Sequence, residues 1–327
     1  MSLPTIDLAF LGCGNITRKH ARLLKSFPAV RLYFASRDRA KAETFNRELG
    51  GAGAFGGYAE AIADPRVSTV MVATPPDSHL DLTTSALEGG KHAIVEKPAF
   101  HRSADFETVG AAERRSGKRA FVAENYAYKP LARVLREIVR SGDLGDIRFV
   151  HLVAVKQQRL FGWREDEVVT GGGALFEGGV HWVDLFANLG LTVESVRGFR
   201  PGEARGPERS MVVVAKYAEG AVGTLLHSWE VPSPFRGLRI SRIFGTKGTV
   251  TFESNGLIVI QTGKRFRVSF PGLRDINGYA GMFRDFFDAI RTGREPVLTL
   301  ARARQGLEIV ETAYRGAAGT HTLKETR

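Results

Sequence analysis

A glycine turn near the N-terminus has the residue types that bind a phosphate group. The apolar run Ile6–Leu11 ends at Gly12, and Gly14, Asn15 and Ile16 begin a segment with the pattern of a helix. The first glycine permits a tight turn, and the second lets a pyrophosphate approach the backbone. The free amides at the start of a helix then attract the anion. These residues predict an anion-binding turn.

The end of the next apolar run indicates which nucleotide the turn would bind. Residues 30–35 read as a second strand, so strand, glycine turn, helix and strand follow one another as in a mononucleotide-binding half. About twenty residues after the turn, where an acidic side chain binds the ribose of NAD, the chain has Ser36 and Arg37. A hydroxyl and a guanidinium suit a 2′-phosphate, so NADP(H) is preferred and NAD(H) is the alternative. Arg18 and Lys41 are weaker candidates for the same phosphate.

The turn departs from the full G-x-G-x-x-G pattern at its third glycine, where Thr17 stands. A bare G-x-G is also compatible with a tight turn that binds no ligand. The single cysteine, Cys13, lies inside the turn and excludes an internal disulfide and a cysteine-based zinc site. We interpret Cys13 as a small apolar filler rather than a nucleophile.

Composition excludes several other classes of protein. The 327 residues are 43% hydrophobic, which is ordinary for a globular protein of two domains or one large one. No apolar run approaches the roughly 20 residues that a membrane span needs, and the N-terminus has no pattern of a secretory signal. We therefore expect a cytoplasmic protein. The net charge is +11, but the Lys and Arg residues are scattered among Asp and Glu rather than gathered in one run. We therefore expect a phosphate-bearing cofactor and no nucleic acid.

The first part of the chain alternates strands and helices, which predicts a doubly wound parallel sheet. Polar turns follow the predicted strands at Thr74-Pro75, Glu96-Lys97 and Glu124-Asn125. Because ligands bind beyond the carboxyl ends of such strands, these turns converge on one site. The predicted elements after Ala35 are a helix at 39–49, a glycine-rich loop at 50–57, a helix at 59–63, a strand at 67–73, a helix at 78–88, a strand at 93–95, a helix at 104–116 and a strand at 120–123.

The second part of the chain predicts a largely antiparallel, open sheet with one face covered. Strand patterns occur at 147–156, 210–217, 221–229, 238–244, 249–253, 257–262 and 266–270, between a helix at 130–140 and helices at 279–292 and 301–314. The predicted fold is α/β, with an N-terminal Rossmann domain at 1–125 and a C-terminal α/β domain at 126–327 for substrate binding and oligomerisation. The closing helices are candidates to pack back on the first domain.

Several motifs together resemble the glucose–fructose oxidoreductase, inositol dehydrogenase and rhizopine-catabolism (Gfo/Idh/MocA) family over nearly the whole chain. They are the glycine turn, Thr74-Pro75-Pro76-Asp77-Ser78-His79, Glu96-Lys97-Pro98, Glu124-Asn125-Tyr126, Gly171-Gly172-Gly173 and Gly179-Val180-His181-Trp182-Val183-Asp184. The resemblance implies an NAD(P)-dependent dehydrogenase or reductase. It also implies an open C-terminal sheet that often forms a dimer interface, so we expect a homodimer or homotetramer.

Within this family pattern, Lys97 and His181 are the expected catalytic residues. A lysine beside a nicotinamide holds the substrate oxygen and stabilises its developing charge, and an imidazole exchanges a proton with a sugar hydroxyl. Glu177 stands four residues before His181, at a position where the family usually has Asp. On a helix the two side chains share a face. Glu177 therefore has an open role, either orienting the substrate or orienting His181.

The remaining expected contacts are to the cofactor. They are Gly12, Gly14, Asn15, Ile16, Ser36, Arg37, Thr74, Pro75, His79, Glu96, Lys97, Asn125 and Arg164. His79 is also a candidate helix cap, and Arg164 beside Trp163 is also a candidate surface residue. His20, His92, His101, His151 and His227 have no carboxylate or cysteine partners at metal-ligand spacing, so we predict no catalytic metal.

The predicted reaction moves a hydride between NADP(H) and a hydroxyl or carbonyl carbon of a sugar, cyclitol or related polyol. Two alternatives remain at this point. One is a non-enzymatic dinucleotide sensor that binds a regulatory protein. The other is an NAD-assisted glycoside hydrolase of the same family.

Overall fold

The computed structural model describes residues 3–159, 172–202, 206–233 and 238–318. Within that part of the chain, contacts divide the protein into two compact units. The first unit contains residues 3–124 together with 280–304, and the second contains the described residues of 125–279 together with 305–318. The predicted boundary between residues 125 and 126 stays a prediction. No helix within the described ranges has the length and apolar character to cross a membrane.

The first unit is built on a parallel sheet. Its strands are β1 Ile6–Leu11, β2 Val30–Ala35, β3 Gly53–Phe55, β4 Thr69–Val72, β5 His92–Val95 and β6 Ala120–Val122. In the described residues the six strands lie in the order β3-β2-β1-β4-β5-β6, all parallel. The order reverses at β1, and ligands bind beside such a switch point. The predicted loop at 50–57 was wrong in part, because β3 pairs with β2 within it.

Helices cover the parallel sheet, whose central strands are buried along their whole length. They are α1 Asn15–Leu24, α2 Arg39–Leu49, α3 Tyr58–Ala63, α4 His79–Glu88 and α5 Asp105–Ser116. A later helix, α8 Tyr279–Thr292, returns to this unit with an aromatic face. Phe283 lies 5.1 Å from the ring of His20, and Phe286 lies 5.0 Å from Phe121, between ring centroids. The first unit therefore completes its core with residues from late in the chain.

The second unit is built on a mostly antiparallel sheet. Its strands are β7 Ile147–Val155, β8 Val193–Phe199, β9 Ser210–Tyr217, β10 Val222–Ser228, β11 Ile240–Gly245, β12 Gly248–Glu253, β13 Val259–Gly263 and β14 Arg267–Ser269. Among the described residues the eight strands lie in the order β14-β13-β12-β11-β7-β10-β9-β8, and β7 and β10 are parallel. Sequence analysis did not predict β8, whose side chains are mostly exposed at the sheet edge. The predicted fold class is confirmed.

One face of this second sheet is covered and the other is open. The covered side chains include Val150, Leu152 and Leu225, each at most 1% exposed. The helices of the second unit are α6 Pro130–Arg140, a π-helical turn at Leu175–Gly179 that continues into α7 Val180–Ala187, and most of α9 Leu300–Ala318. Helix α7 packs on β7 and β10. We call the continuous segment from the π turn through α7 the site helix.

Candidate active site

The glycine turn after β1 has the geometry that its sequence predicts. Gly12 has a φ of +110°, and a Cβ there would lie 2.8 Å from the carbonyl oxygen of Ala73. Glycine is therefore required by both conformation and space. Thr17, at the position of the missing third glycine, is fully buried and donates from its hydroxyl to the Gly12 carbonyl at 2.7 Å. Thr17 thus braces the turn with a hydrogen bond.

The start of α1 fits a phosphate group. Gly14 is the N-cap residue, and a Cβ placed on it would meet no atom of the protein within 4 Å. The first turn, which begins at Asn15 and Ile16, contains no acidic residue. A dinucleotide pyrophosphate needs open space beside the amides of a helix start, with no acidic side chain there to repel it. The residues present therefore fit a pyridine dinucleotide.

The end of β2 carries the residues predicted to select the cofactor. Ser36 is 8% exposed, and its hydroxyl accepts from the amide of Asp38 at 3.2 Å. The Asp38 carboxylate caps α2 by accepting from the Lys41 amide at 3.3 Å. The exposed Arg37 guanidinium is hydrogen bonded to the phenol of Tyr58. Burial raises the pKa of Tyr58, although Arg37 opposes the rise.

Arg18, a weaker candidate for the 2′-phosphate, has other partners. Its guanidinium forms an ion pair with Glu48 and lies over the ring of Phe45, with Cζ 4.5 Å from the ring centroid. The arrangement joins α1 to α2. It leaves Arg37 as the candidate with the stronger structural support.

A buried hydrogen-bonded pair, His20 and Glu96, lies directly before Lys97. Glu96 is 7% exposed, and its carboxylate oxygen is 2.6 Å from Nε2 of the fully buried His20. Burial alone would raise the pKa of Glu96, but the hydrogen bond and charge of His20, together with Lys97, hold it below its ordinary value. No carboxylate stands at metal-ligand spacing from His20 in the sequence, and its partner Glu96 is 76 residues away along the chain. Glu96 also accepts from the Lys97 amide at 3.2 Å, which fixes the backbone at the lysine.

His79 joins two of the strand-end turns. Its ring is 1% exposed, with Nε2 at 2.9 Å from the Thr74 carbonyl oxygen and Nδ1 at 2.9 Å from that of Pro98. Burial lowers the pKa of His79, although these carbonyl groups favour the protonated ring. The side chain does not cap α4, so that alternative was wrong. His79 instead holds Thr74-Pro75 against the backbone that follows Lys97.

The second unit presents Glu177 and His181 on the site helix. Glu177 is 5% exposed and lies within the π turn, whereas His181 is half-buried in the first turn of α7. The ring of His181 stacks on Tyr126, with centroids 4.7 Å apart and planes 15° apart. Single π turns within α-helices are frequent at functional sites. The stacked ring restricts the orientation of the imidazole.

Basic side chains surround this part of the second unit. The Lys129 ammonium is 4.3 Å from the Tyr126 ring centroid, and Arg239 Cζ is 5.0 Å from the Trp182 ring centroid. Lys129 is 2% exposed and Arg239 is 8% exposed. Burial, together with the charges of Lys156, Arg239 and His181, lowers the pKa of His227 to about 3.

The sequence patterns predicted few of these aromatic and basic contacts. Tyr126 follows the predicted Asn125, and the run Tyr126-Ala127-Tyr128-Lys129, with two aromatic residues and a lysine, was a signal for an aromatic and cationic cluster. Asn125 is 3% exposed and donates from its side chain to the Asn277 carbonyl at 2.6 Å. Arg164 and Trp163 lie outside the described residues. Within those residues, no group of three or more acidic, histidine or cysteine side chains is placed to hold a metal ion.

Comparisons with known proteins identify the family. The model of the oxidoreductase family with an NAD-binding Rossmann fold matches residues 6–124, and that of the GFO/IDH/MocA C-terminal domain matches residues 132–251. The dTDP-3,4-didehydro-2,6-dideoxy-α-D-glucose 3-reductase of Saccharopolyspora spinosa is 33% identical over 67% of each chain. The trans-1,2-dihydrobenzene-1,2-diol dehydrogenase of Mus musculus is 24% identical over 95% of this chain and 96% of its own.

A solved structure agrees with these matches. The crystal structure of GenD2 from gentamicin A biosynthesis, in complex with NAD, is 26% identical to this chain and superposes with a TM-score of 0.83. The likeness covers 97% of this chain and 95% of GenD2. The predicted family is confirmed, and with it the predicted class of enzyme. The chain belongs to the Gfo/Idh/MocA family and is an NAD(P)-dependent oxidoreductase.

Proposed function

We propose that this protein transfers a hydride between NADP(H) and a hydroxyl or carbonyl carbon of a sugar, cyclitol or related polyol. The observation that carries the proposal is the open space for a phosphate at Gly14, after β1, combined with Lys97, which follows β5 of the same sheet. The names of the relatives support the substrate class, since one is a nucleotide-sugar reductase and another a diol dehydrogenase.

The preference for NADP(H) is supported by the end of β2. Ser36 and Arg37 offer a hydroxyl and a guanidinium for a 2′-phosphate, and a planar guanidinium binds phosphate well. The nearby Asp38 comes two residues after Ser36, and its carboxylate caps α2 by accepting from the Lys41 amide. NAD(H) is the alternative cofactor, and the related GenD2 was solved with NAD.

The bound nicotinamide would supply the hydride chemistry. Lys97 holds the substrate oxygen and stabilises its negative charge, and His181 accepts the hydroxyl proton during oxidation or returns it during reduction. Glu177 is placed one turn before His181 and orients the substrate or the imidazole. The strand-end residues Thr74 and Pro75, with His79 behind them, shape the cofactor site, and Glu96 acts through the backbone of Lys97.

The other proposed cofactor contacts are backbone groups and polar side chains. Gly12, Gly14, Asn15 and Ile16 would hold the pyrophosphate, Asn125 would contribute from the start of the second unit, and Arg164 remains a proposal from sequence alone. We expect no resident metal.

Two copies of the chain pair through the open face of the second sheet in this proposal. Phe149 on β7 lies in register with Val222 on β10 and Phe244 on β11, and Phe149 is 60% exposed. Contiguous exposed apolar side chains mark interaction surfaces. Light scattering of the wild type and of Phe149→Glu tests this, with a monomeric variant as the expected result and a monomeric wild type as the contrary one.

The main test is a turnover assay of the purified protein with a panel of sugars, cyclitols and polyols, using each cofactor in both directions. Reduced-nicotinamide absorbance is expected to change with at least one substrate. Affinities for NADP(H) and NAD(H), measured in the wild type and in Arg37→Asp, test the cofactor preference. Equal affinities in the wild type would refute the preference, and no turnover with any member of the panel would refute the substrate class.

A further inference from the structure

The start of the site helix has four backbone amides with no acceptor inside the helix, as every helix start does. Here they belong to Gly173, Ala174, Leu175 and Phe176, directly before Glu177. The Glu177 amide makes the first internal bond, to the Gly173 carbonyl at 3.0 Å. Where the four preceding amides find their acceptors therefore determines how this end of the helix is held.

Glu208, which precedes β9, accepts from two of these amides. Its backbone carbonyl accepts from Ala174 at 2.7 Å, and its side-chain Oε2 accepts from Leu175 at 2.9 Å. Glu208 is 5% exposed. A Cβ on Gly173 would lie 2.4 Å from the Glu208 carbonyl oxygen, so glycine permits this approach. A residue distant in sequence thus serves as the cap of the helix.

Tyr314 on α9 accepts from the other two amides. Its phenolic oxygen is 3.2 Å from the Gly173 amide and 3.3 Å from the Phe176 amide, and its hydroxyl donates to Glu208 Oε2 at 3.0 Å. One oxygen therefore makes three hydrogen bonds at the helix start. Together Glu208 and Tyr314 satisfy all four amides, and the shared hydrogen bond joins the two acceptors.

We propose that Glu208 and Tyr314 are positioning residues that set the orientation of Glu177 and His181. The inference rests on the proposed function of those two side chains. The four held amides lie immediately before Glu177 and little more than one turn before His181, so a rotation of this helix end moves both groups. A displacement of about 1 Å at a reacting centre costs about 100-fold in rate.

The arrangement also excludes anion binding at the start of the site helix. Its amides are already used by acceptors of the protein, so the helix start is closed to a phosphate or carboxylate of the substrate. This differs from the start of α1, where a Cβ on Gly14 would meet no protein atom within 4 Å. Anion binding and positioning are thereby divided between two helix starts.

The test compares Tyr314→Phe with Tyr217→Phe. Tyr217 is fully buried, and its hydroxyl donates to the Phe186 carbonyl at 2.9 Å, at the other end of the same helix. Both variants delete one buried hydroxyl. Tyr314→Phe is expected to lose more thermal stability, because its oxygen makes three hydrogen bonds and that of Tyr217 makes the one to Phe186. Tyr314→Phe is expected to lower kcat about tenfold with an unchanged Kd for the nicotinamide cofactor. Tyr217→Phe is expected to keep kcat within about twofold of the wild type, because it lies away from Glu177.

A second pair of variants examines the carboxylate. Glu208→Gln retains an oxygen that can accept from Leu175, whereas Glu208→Ala does not. Partial rescue of kcat in the glutamine variant relative to the alanine variant is therefore expected. The proposal would be overturned if Tyr314→Phe had the kcat of the wild type. It would also be overturned if Tyr314→Phe and Tyr217→Phe lowered kcat by the same factor.

A measurement without turnover separates this proposal from the proposed function. The imidazole ¹⁵N shifts of His181 are expected to change in Tyr314→Phe and to stay unchanged in Tyr217→Phe. Unchanged shifts in both variants would overturn the positioning role, even if the enzyme proved inactive on every polyol. An inactive wild type whose His181 responds to Tyr314 would instead refute only the proposed function.

Discussion

The two units hold their functional residues in different ways. In the first unit, Gly12, Thr17 and Gly14 lie within six residues of one another, and the turn is shaped by their own backbone and by one local hydrogen bond. In the second unit, the end of the site helix is held by Glu208 and Tyr314, which lie 33 and 138 or more residues away along the chain. A local motif encodes the first arrangement, whereas tertiary packing alone creates the second.

This difference explains which parts of the site a single sequence reveals. A cradle made of consecutive backbone groups leaves a readable pattern of glycines and strand ends. A side chain oriented by distant partners leaves no pattern of its own. In the first unit, mutations that disturb the site should therefore lie within the glycine turn itself. In the second unit, mutations far away along the chain should also disturb it.

The largest expected effect comes from Lys97→Met. Removing the group that holds the substrate oxygen and stabilises its charge should lower kcat about 1,000-fold, while the affinity for NADPH stays near that of the wild type. His181→Asn is the corresponding change in the second unit, with an expected loss of about 100-fold. Steady-state kinetics and fluorescence titration with NADPH measure both. Protein partners whose binding depends on the cofactor, together with normal function of Lys97→Met in the cell, would instead favour a non-enzymatic sensor.

A second prediction separates the two glycines of the turn. Gly12→Ala places a Cβ against the Ala73 carbonyl at a positive φ, so it should lower both the melting temperature and cofactor affinity. Gly14→Ala meets no protein atom, so it should fold with an unchanged melting temperature yet bind NADPH at least about tenfold more weakly. Differential scanning fluorimetry and calorimetry provide the two readouts. Normal NADPH affinity in Gly14→Ala would exclude a pyrophosphate at this glycine.

A third prediction concerns two buried carboxyl groups whose pKa values shift in opposite directions. The pKa of Glu96 lies below its ordinary value of 4.5, so its stabilisation is present above that pH and is lost as pH falls through the folded-state pKa. Burial raises the pKa of Glu208, so its contribution is present at low pH and is lost as pH rises through the folded-state pKa.

The matching variants should therefore show opposite pH dependence. Glu96→Gln breaks a buried pair and should cost about 3 to 5 kcal/mol of unfolding free energy at pH 7, with a smaller cost below pH 4.5. Glu208→Gln should become more favourable relative to the wild type as pH rises above 4.5. Urea denaturation followed by circular dichroism across this range measures both slopes. If the stability difference from the wild type changed with pH in the same direction for both variants, the opposite pKa shifts of Glu96 and Glu208 would be contradicted.

The smallest expected effect is at the end of β2, where we propose that Ser36 and Arg37 select the cofactor. Tyr58→Phe removes the phenol that is hydrogen bonded to Arg37. The affinity for NADPH should fall about threefold, the magnitude of one exposed hydrogen bond, and the affinity for NADH should not change. A parallel fall for both cofactors would show that Tyr58 supports the adenosine site in general.

The sequence was sufficient for most of the parallel sheet. The bounds predicted for β2, α2, α6 and α8 agree with the structure, because long apolar runs and helical periodicity record burial directly. The strand β3 was not predicted because the glycines around it interrupt its apolar pattern. The strand β8 was not predicted because it lies at the sheet edge, where most of its side chains are exposed. At the site, the pairing of His20 with Glu96 spans 76 residues. No spacing rule connects residues so far apart, so only tertiary structure reveals such partners.

The return of α8 to the first unit has a consequence for synthesis on the ribosome. Phe283, Phe286 and Phe287 belong to the core around His20, Phe27 and Phe121, yet they are translated after the whole second sheet. An emerging nascent chain therefore exposes the aromatic surface of its nucleotide-binding unit until α8 has been made. A chain that stops before α8 leaves even the earliest-made unit incomplete.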